Sequence, residues 1–485
     1  MKQKLAMLVC LTLAANMAAC GDSTDTPVTG ADATAPGSET TVSYAPQLPA
    51  MDMNGETFTI LTQGWWQYSP LAITDILVEE QTGEPLNDAA YSRQQEVMAK
   101  YNFQLTVMDY PDHNEGISQL INAISAGENV FDMAIIRGTN YTTLALQKML
   151  TDLNEVPNLD LDALYYDAAS CAALSVADSL FGIVSDITTL RYKTASCSFV
   201  NLRLIEDYGC GDIYETVNNG GWTLDTMLEF GKLHASDVDM DGSYTNSDHY
   251  ALTYIADSID AMLEGSGIRF AEFDSDGQLT LTIDRAGNID KMQAMLELLK
   301  DETISYNVHR RSPSEEVNAD EVGIFIDGKS MFSIGGIYYG PQFRDMEDDF
   351  AILPVPKLDA SQEGYFTPFS GHFVPITVVP VTNNRPEATG VLMEELSYLG
   401  HRDLYPELYE TLLKNKIARD ENSVAMIDMM FENTLYDAGA FYFPNEMTTI
   451  RNLFLDFNDT FASTIDSLKP SVEAQIEDMM EIIES

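Results

Sequence analysis

Positive charge is scarce in this sequence. Only 26 lysine and arginine residues stand against 76 aspartate and glutamate residues in a chain of 485, which gives a net charge of -50. Binding to nucleic-acid phosphates requires a basic stripe or patch, and the chain contains no such stripe. We therefore expect no nucleic-acid partner.

Short catalytic motifs are also missing. The sequence has no G-x-S-x-G, no H-E-x-x-H, no phosphate-binding loop and no G-x-G-x-x-G. Its six histidines do not fall at metal-ligand spacing. These absences predict a protein that is not an enzyme and requires no cofactor. Glycosidase carboxylate pairs leave no local signature, so a surface glycoside hydrolase stays open as an alternative.

Long hydrophobic runs are lacking after the N-terminus. Two lysines precede an eleven-residue apolar run, Leu5 to Ala15, which is too short to span a bilayer. Small residues follow this run, so residues 1–20 are predicted to be a secretory signal peptide. Residues 21–54 are mostly serine, threonine, alanine, proline, glycine and aspartate, and this composition predicts a flexible tether.

Cysteine is rare, and one of the five cysteines lies at the end of the predicted signal peptide. Cys20 directly follows Met17-Ala18-Ala19, which resembles a bacterial lipobox with methionine where leucine is usual. The resemblance implies that Cys20 carries lipid and anchors the protein to a membrane on its extracytoplasmic side. An ordinary secreted protein is the alternative. Beyond Cys10 in the signal peptide, Cys171, Cys197 and Cys210 allow one disulfide at most.

Strand and helix patterns alternate after the tether. Strands are predicted at "ETFTILT", "FQLTVMDY" and "FDMAIIRG", with the helices "NDAAYSRQQEVMAKYN" and "GISQLINAISAG" between them. This alternation is typical of an open, largely parallel α/β sheet, whose ligands gather beyond the carboxyl ends of the strands. Later, Thr223 is predicted to cap a helix, "DSDG" to form a hairpin turn, and the chain beyond Arg385 to be mostly helical.

One acidic segment, "DVDMDGSYTNSD", has the spacing of a calcium loop. Alternate carboxylates and a glycine at the sixth position let such a loop wrap a hard cation with oxygen atoms. The predicted metal ligands are Asp237, Asp239, Asp241, the Ser243 carbonyl and Asp248. Aspartate at the twelfth position, where glutamate is usual, should weaken binding. A solvated acidic turn is the alternative to structural calcium.

Aromatic residues recur where predicted strands end. Their faces stack on the apolar C–H face of a pyranose ring, while neighbouring polar groups bind its hydroxyls. Taken singly, each such residue is more often part of the core. The aromatic positions are Trp65, Trp66, Tyr68, Tyr141, Tyr338, Tyr339 and Phe441 to Phe443.

Several segments, in order along the chain, resemble the extracellular solute-binding lipoproteins of bacterial ABC importers, the class that includes maltose-binding protein. The segments include "FDMAIIRG", "SFVNLRLIEDYG", "GKSMFSIGGIYYGPQFRDMEDDFAILPVPK" and "ARDENSVAMIDMMFENTLYDAG". The resemblance implies a two-lobed periplasmic-binding-protein-like α/β clamp with mixed sheets and a helical C-terminal part. Lobe one is expected over 55–188 plus 371–425, and lobe two over 189–370 plus 426–485.

The same resemblance implies the function and the site. The chain would act as a monomer that captures a carbohydrate, an oligosaccharide in particular, and delivers it to the permease subunits of an ABC transporter. A ligand-binding sensor lipoprotein is a further alternative. The residues implied to contact ligand are Trp65, Trp66, Thr139, Asn140, Asp186, Tyr338, Tyr339 and Tyr442. Gly335 and Gly336 are expected to let the backbone approach the ligand, although packing of the two tyrosines between helix and sheet is the alternative.

Overall fold

The computed structural model of the protein describes residues 45–64, 69–110, 112–274, 277–312, 317–344, 346–410 and 421–484. The strands are β1 (Thr57–Gln63), β2 (Gln104–Tyr110), β3 (Met133–Arg137), β4 (Ser196–Asn201), β5 (Tyr250–Tyr254), β6 (Ala271–Phe273), β7 (Leu279–Leu281), β8 (Ser305–Asn307), β9 (Ser330–Gly336), β10 (Phe350–Leu353), β11 (Thr367–Pro368), β12 (Pro375–Val378) and β13 (Thr434–Leu435).

The helices form most of the C-terminal part. They are α1 (Pro85–Tyr101), α2 (His113–Ser125), α3 (Gly138–Leu146), α4 (Ala168–Leu174), α5 (Leu190–Lys193), α6 (Leu202–Asp207), α7 (Ile213–Asn218), α8 (Leu224–Gly231), α9 (Ala256–Gly265), α10 (Asn288–Leu299), α11 (Val308–Arg311), α12 (Val317–Ile326), α13 (Gly340–Phe343), α14 (Pro386–Leu399), α15 (Tyr405–Leu408), α16 (Glu421–Glu432), α17 (Ala438–Tyr442), α18 (Pro444–Leu455) and α19 (Phe461–Glu484). Among the helices described, none is long and apolar enough to cross a membrane.

The first sheet has the strand order β12-β3-β1-β2. β1 runs parallel to β2 and to β3, as the strand and helix alternation predicts. β12 pairs antiparallel with β3, so the sheet is mixed rather than wholly parallel. This antiparallel strand arrives from more than two hundred residues away, and local alternation therefore carries no signal for it.

The second sheet has the order β10-β4-β9-β5-β8. β5 runs parallel to β8 and β9, whereas β4 runs antiparallel to β9 and β10. The α/β architecture with mixed sheets and a helical C-terminal part is therefore confirmed.

Local signals act as the sequence predicts at several positions. Thr223 caps α8, since its side chain accepts the backbone N–H of Thr226 at 3.2 Å. The short strands β6 and β7 pair antiparallel on either side of the predicted hairpin turn. Cys171, Cys197 and Cys210 are free thiols, so the disulfide that the sequence allowed is not formed.

The segments that run between the two sheets are tied to each other. β11 pairs parallel with β13, and a β-bridge joins Ala195 to Phe369 beside it. Hydrogen bonds thus join passages of chain that lie far apart in sequence and that would otherwise be loops.

The segment that precedes Ala195 is also fixed to α1. The fully buried Arg93 donates to the backbone oxygens of Ile187 and Asp75, at 2.8 Å and 2.6 Å. Asp75 in turn accepts hydrogen bonds from Thr188 and Thr189. Buried charged groups are tolerated only when they are paired in this way, and these bonds hold residues 187–189 against α1.

Candidate functional site

Polar side chains gather where strands of both sheets end. Gln63 and Arg137 are the last residues of β1 and β3 in the first sheet. In the second sheet, Asp257 lies in the first turn of α9 just after β5, and Tyr338 follows β9. Ligands of α/β sheets bind beyond such carboxyl ends, so these four residues mark a candidate binding site.

On the first-sheet side of this candidate site, Gln63 holds the neighbouring residues in position through hydrogen bonds. Its side-chain nitrogen donates to the backbone oxygen of His113 at 2.8 Å and to Oδ1 of Asn140 at 2.7 Å. Its side-chain oxygen accepts the backbone N–H of Arg137 at 2.8 Å. One buried amide therefore links the ends of β1 and β3 to the first turns of α2 and α3.

Arg137 reaches from the first sheet toward residues that connect the sheets. Its side chain is only 5% exposed, and Nε donates to the backbone oxygen of His372 at 2.8 Å. Its guanidinium lies 5.8 Å from the ring centroid of Phe373. The Phe373 ring makes an edge contact with Tyr338, with centroids 6.0 Å apart. Phe373 therefore contacts both Arg137, at the end of a first-sheet strand, and Tyr338, which follows a strand of the second sheet.

Asp257 is the central charge of this region. Its Oδ1 accepts a hydrogen bond from Ser370 at 3.3 Å, and Ser370 Oγ accepts the backbone N–H of His372 at 3.3 Å. Burial lowers the pKa of Arg137 to about 10, and the Asp257 charge opposes this effect. Burial likewise lowers the pKa of His372, again opposed by Asp257. We call Arg137, Asp257, Ser370, His372 and Arg451 the cleft cluster.

Arg451, on α18, completes the cluster and binds a second carboxylate of α9. Its NH1 donates to Oδ2 of Asp260 at 2.7 Å. Burial opposes its charge, but Asp260 and Asp257 outweigh this and raise the pKa of Arg451. Burial raises the pKa of Asp260 to about 6 despite the arginine. Burial also raises the pKa of Glu264, one turn along α9, well above its usual range.

A small cavity of about 20 Å³ lies against the cluster. Thr139, Asp260, Glu264, His372 and Arg451 are among its lining residues. Such a volume holds about one water molecule. A larger ligand would enter this part of the site only if the facing elements move apart.

No family model matches this sequence, and no curated protein matches it. Solved structures do match. The ABC substrate-binding protein from Listeria monocytogenes in complex with cycloalternan aligns at a TM-score of 0.56 and 12% identity, over 88% of this chain and 99% of that chain. The receptor of Streptomyces glaucescens solved unliganded and with acarbose gives 0.56 and 12%, over 88% and 98%. The galacto-N-biose and lacto-N-biose I-binding protein of Bifidobacterium longum gives 0.56 and 14%, over 86% and 98%.

The chain has the two-lobed fold of periplasmic binding proteins. The cleft cluster takes Arg137 from the end of a strand of the first sheet and Asp257 from just after a strand of the second sheet. The exact lobe boundaries at residues 188, 370 and 425 stay a prediction.

Three of the predicted ligand residues lie beside the cleft cluster. Thr139 lines the small cavity with His372, and its backbone N–H donates to the Gly371 oxygen at 3.1 Å. Asn140 is held by Gln63, and Tyr338 contacts Phe373. The structure therefore brings these three together with Arg137 and with Asp257 and Arg451, two charged residues that the sequence did not single out.

Three other predicted ligand residues are buried and bonded to residues outside the cleft cluster. Tyr339 is fully buried and donates its hydroxyl to Glu321 at 2.8 Å. The buried Tyr442 donates to the backbone oxygen of Leu174 at 2.8 Å and packs edge-on against Tyr141. Asp186 is 1% exposed and holds an ion pair with Arg191, Nε to Oδ1, at 2.8 Å. Trp65 and Trp66 lie outside the described residues.

Gly335 and Gly336 are expected to let the backbone approach a ligand. In the structure, their missing side chains make room for two tyrosine rings of the same segment. A Cβ added to Gly336 would lie 2.2 Å from Cε1 of Tyr338, and one added to Gly335 would lie 2.5 Å from Cε2 of Tyr339. Each glycine thus makes room for the ring two or four residues further along. The two tyrosine rings also make an edge contact, with centroids 4.7 Å apart.

The acidic loop brings three of its five predicted ligands together. Carboxylate oxygens of Asp237, Asp239 and Asp248 all lie within 4.8 Å of one another. Asp241 is not in this group, and its Oδ1 accepts the backbone N–H of Ser243 at 2.6 Å. The backbone N–H of Asp241 favours ionised Asp239, but burial and the neighbouring carboxylates together raise the Asp239 pKa. The loop therefore concentrates negative potential.

Sequence reasoning missed Asp257 and Arg451 as site residues. Asp257 follows directly on a strand, so the strand-end rule would have found it once β5 was recognised. Arg451 lies in a helix 191 residues beyond its partner Asp260, and no local pattern links the two. Only the return of the C-terminal helices to the cleft brings it there.

Glu321 supports the tyrosine pair from behind. It accepts hydrogen bonds from Tyr339 at 2.8 Å and from Ser333 at 3.3 Å. Its carboxyl group is fully buried, and burial raises its pKa to about 8 from the ordinary 4.5, although these hydrogen bonds oppose the shift. At neutral pH the folded protein therefore keeps Glu321 mostly protonated.

Replacing Glu321 with glutamine should change how stability depends on pH. The folded protein retains a proton that the unfolded chain loses above pH 4.5, so Glu321 costs stability as pH rises from about 4.5 to about 8. The variant lacks this slope of at most about 1.4 kcal/mol per pH unit. The free energy of unfolding of Glu321→Gln, relative to wild type, should therefore increase from acidic to neutral pH in urea titrations.

Glu155→Gln removes an exposed carboxylate and controls for the change in net charge. If the difference between Glu321→Gln and wild type is constant across this pH range, the buried carboxyl is not protonated as described.

Proposed function

We propose that the protein is the substrate-binding component of an ABC transporter and captures a carbohydrate, in particular an oligosaccharide. Support comes from the fold and from the chemistry of the cleft cluster. The structurally similar proteins from Listeria, Streptomyces and Bifidobacterium are solved with cycloalternan, acarbose and lacto-N-biose. At 12% to 14% identity, these ligands suggest a class of cargo rather than a specific one.

The observation that carries the proposal is that residues from the strand ends of both sheets meet at the cleft cluster. Arg137 comes from the end of β3, while Asp257 and Tyr338 follow strands of the second sheet. A ligand that binds groups from both lobes favours the arrangement in which the lobes are close. Binding then shifts the population toward a closed form, which a permease can distinguish from the open one.

The side chains present suit a sugar. Carboxylate, guanidinium and hydroxyl groups of the cluster can bind sugar hydroxyls. Tyr338 is 5% exposed here, so its ring and that of Phe373 would offer apolar surface to the C–H face of a pyranose once the facing elements move apart. No bond of the ligand has to break for this function. The partners would be the permease subunits with their ATPase, and the chain would act as a monomer. A sensor would use the same cleft with a different membrane partner.

Removing the Tyr338 ring should weaken sugar binding. We expect an oligosaccharide from a panel that includes cycloalternan, maltodextrins and lacto-N-biose to raise the melting temperature of residues 21–485. At a hundred times its dissociation constant, it should add about 2.7 kcal/mol of stability. Tyr338→Ala should increase the dissociation constant of this sugar about tenfold or more, because the ring's stacking surface is lost. Isothermal titration calorimetry measures the change.

Tyr208→Ala is the matched control, because Tyr208 is 40% exposed and lies away from the cleft cluster. Equal affinity of Tyr338→Ala and wild type would show that the tyrosine is only a packing residue. Chromatography of the sugar after incubation tests the other class of function. Shortened products would indicate a glycoside hydrolase, for which Asp257 and Asp260 would be the first carboxylates to examine.

We also propose that Cys20 anchors the protein to the membrane by lipid. Expressed in a bacterial host, the full chain should be recovered in the membrane fraction and should incorporate labelled fatty acid. Cys20→Ser should lose the label and leave the membrane fraction, since a single polar substitution removes the acylated residue. Fatty-acid label retained by Cys20→Ser would contradict the proposal.

Structural calcium in the acidic loop is a further proposal. The three close carboxylates would repel one another less with a cation between them. Millimolar calcium should raise the melting temperature of chelator-treated protein by a few degrees, which corresponds to about 1 kcal/mol for a weak extracellular-type site. Asp237→Asn should abolish this shift. An equal shift with magnesium, or none with calcium, would contradict it.

A further inference from the structure

A second cavity, of about 200 Å³, lies away from the cleft cluster. We call it the rear cavity, and its lining residues are Asp167, Arg191, Tyr192, Phe369, His401, Tyr405, Phe431 and Thr434. Phe369 bridges to Ala195, and the next residue, Ser370, begins a turn. Ser370 bonds Asp257 of the cleft cluster, whereas the Phe369 ring stacks on Tyr436. Neither Ser370 nor any other residue of the cleft cluster lines the rear cavity.

Aromatic rings form much of its wall. Tyr192 packs against Tyr405 and Phe431, with ring centroids 4.7 Å and 5.2 Å apart. The His401 ring stacks parallel to Tyr405 at 5.6 Å. Ring walls of this kind present broad apolar surface to the C–H groups of a small molecule.

The charged groups of the wall are already paired with one another. Asp186 accepts hydrogen bonds from Tyr192 at 2.8 Å and from His401 Nδ1 at 2.7 Å, and it holds the ion pair with Arg191. Asp167, 8% exposed, accepts from Arg191 at 3.1 Å and from the Tyr436 hydroxyl at 3.2 Å. These buried charges leave no unpaired ion for a charged ligand to neutralise.

Three polar groups of the lining have no such partner. Among the residues that the structure describes, neither the Tyr405 hydroxyl nor the Thr434 hydroxyl nor Nε2 of His401 has a hydrogen-bond partner. The two hydroxyls can each donate or accept, and so can the imidazole nitrogen, according to its protonation. Groups of this kind match the hydroxyls of a neutral ligand, which also donate and accept.

We propose that the rear cavity is a second binding site, for a neutral polyhydroxylated molecule no larger than a monosaccharide. A cavity of 150 Å³ suffices for benzene, so a volume of about 200 Å³ suits a compact molecule with one ring or a short polyol chain. The site is distinct from the cleft proposed for the oligosaccharide, and it does not depend on that assignment.

The test separates the two sites by variants. D-glucose, D-galactose, D-xylose, xylitol and myo-inositol are titrated calorimetrically into the Tyr338→Ala protein, whose cleft is impaired. At least one of them should bind. The double variant Tyr405→Phe/Thr434→Val, made in the same background, should weaken this binding about tenfold, because two hydrogen bonds to ligand hydroxyls are lost while the cavity keeps its shape.

Tyr398→Phe is the matched control, because Tyr398 lies on α14 three residues before His401 and does not line the rear cavity, and it should leave the affinity unchanged. Thermal unfolding without ligand verifies that the variants remain folded. Absence of binding by all five compounds, or binding that the double variant does not weaken, would overturn the proposal. So would stronger binding of glucosamine or glucuronate than of any neutral compound, because the paired charges of the wall predict a neutral ligand.

Discussion

The hydrogen bonds that tie the connecting segments together are the constraint on which the functional parts of this molecule depend. Because β11 pairs with β13 and Ala195 bridges to Phe369, passages of chain from distant parts of the sequence share one defined arrangement between the lobes. This arrangement brings Ser370 and His372 to Asp257 and Arg137, whereas the preceding residue, Phe369, lines the rear cavity. Backbone pairing therefore creates two chemically different surfaces from one short stretch of chain.

Although basic residues are scarce, several of the arginines have structural roles in the interior. Arg93, Arg137, Arg191 and Arg451 all lie in the interior, and each is bound to carboxylates or backbone oxygens near the connections between the lobes. A guanidinium offers five donors in a planar fork, so one side chain can hold several segments at once. Few as they are, these cations join parts of the chain that hydrophobic packing alone would orient less specifically. Burial raises the pKa of Glu264, one carboxylate oxygen of which is buried without a hydrogen-bond partner among the described residues.

Much of the fold could be predicted from the sequence because its signals are local. The alternation from β1 to β3 follows from hydrophobic periodicity, and the α8 cap follows from Thr223. The pairing of β12 with β3 and the return of α18 to the cleft involve residues hundreds of positions apart, for which one sequence holds no pattern. The candidate site divides in the same way. Tyr338 could be found from its local motif, whereas Arg451 could not, and Asp186 bears a charge that the structure commits to Arg191 and His401.

The contacts that hold the Tyr338 ring in place affect the entropy change when a ligand binds. Its ring is fixed by the bare backbone of Gly336, by Tyr339 and by Phe373, and Tyr339 is itself held by Glu321. A tyrosine in solution loses rotamer freedom when a partner immobilises it, and that loss opposes binding. Here folding has already ordered the ring. The platform is therefore preorganised, and a ligand that stacks on it meets no further cost for ordering this side chain.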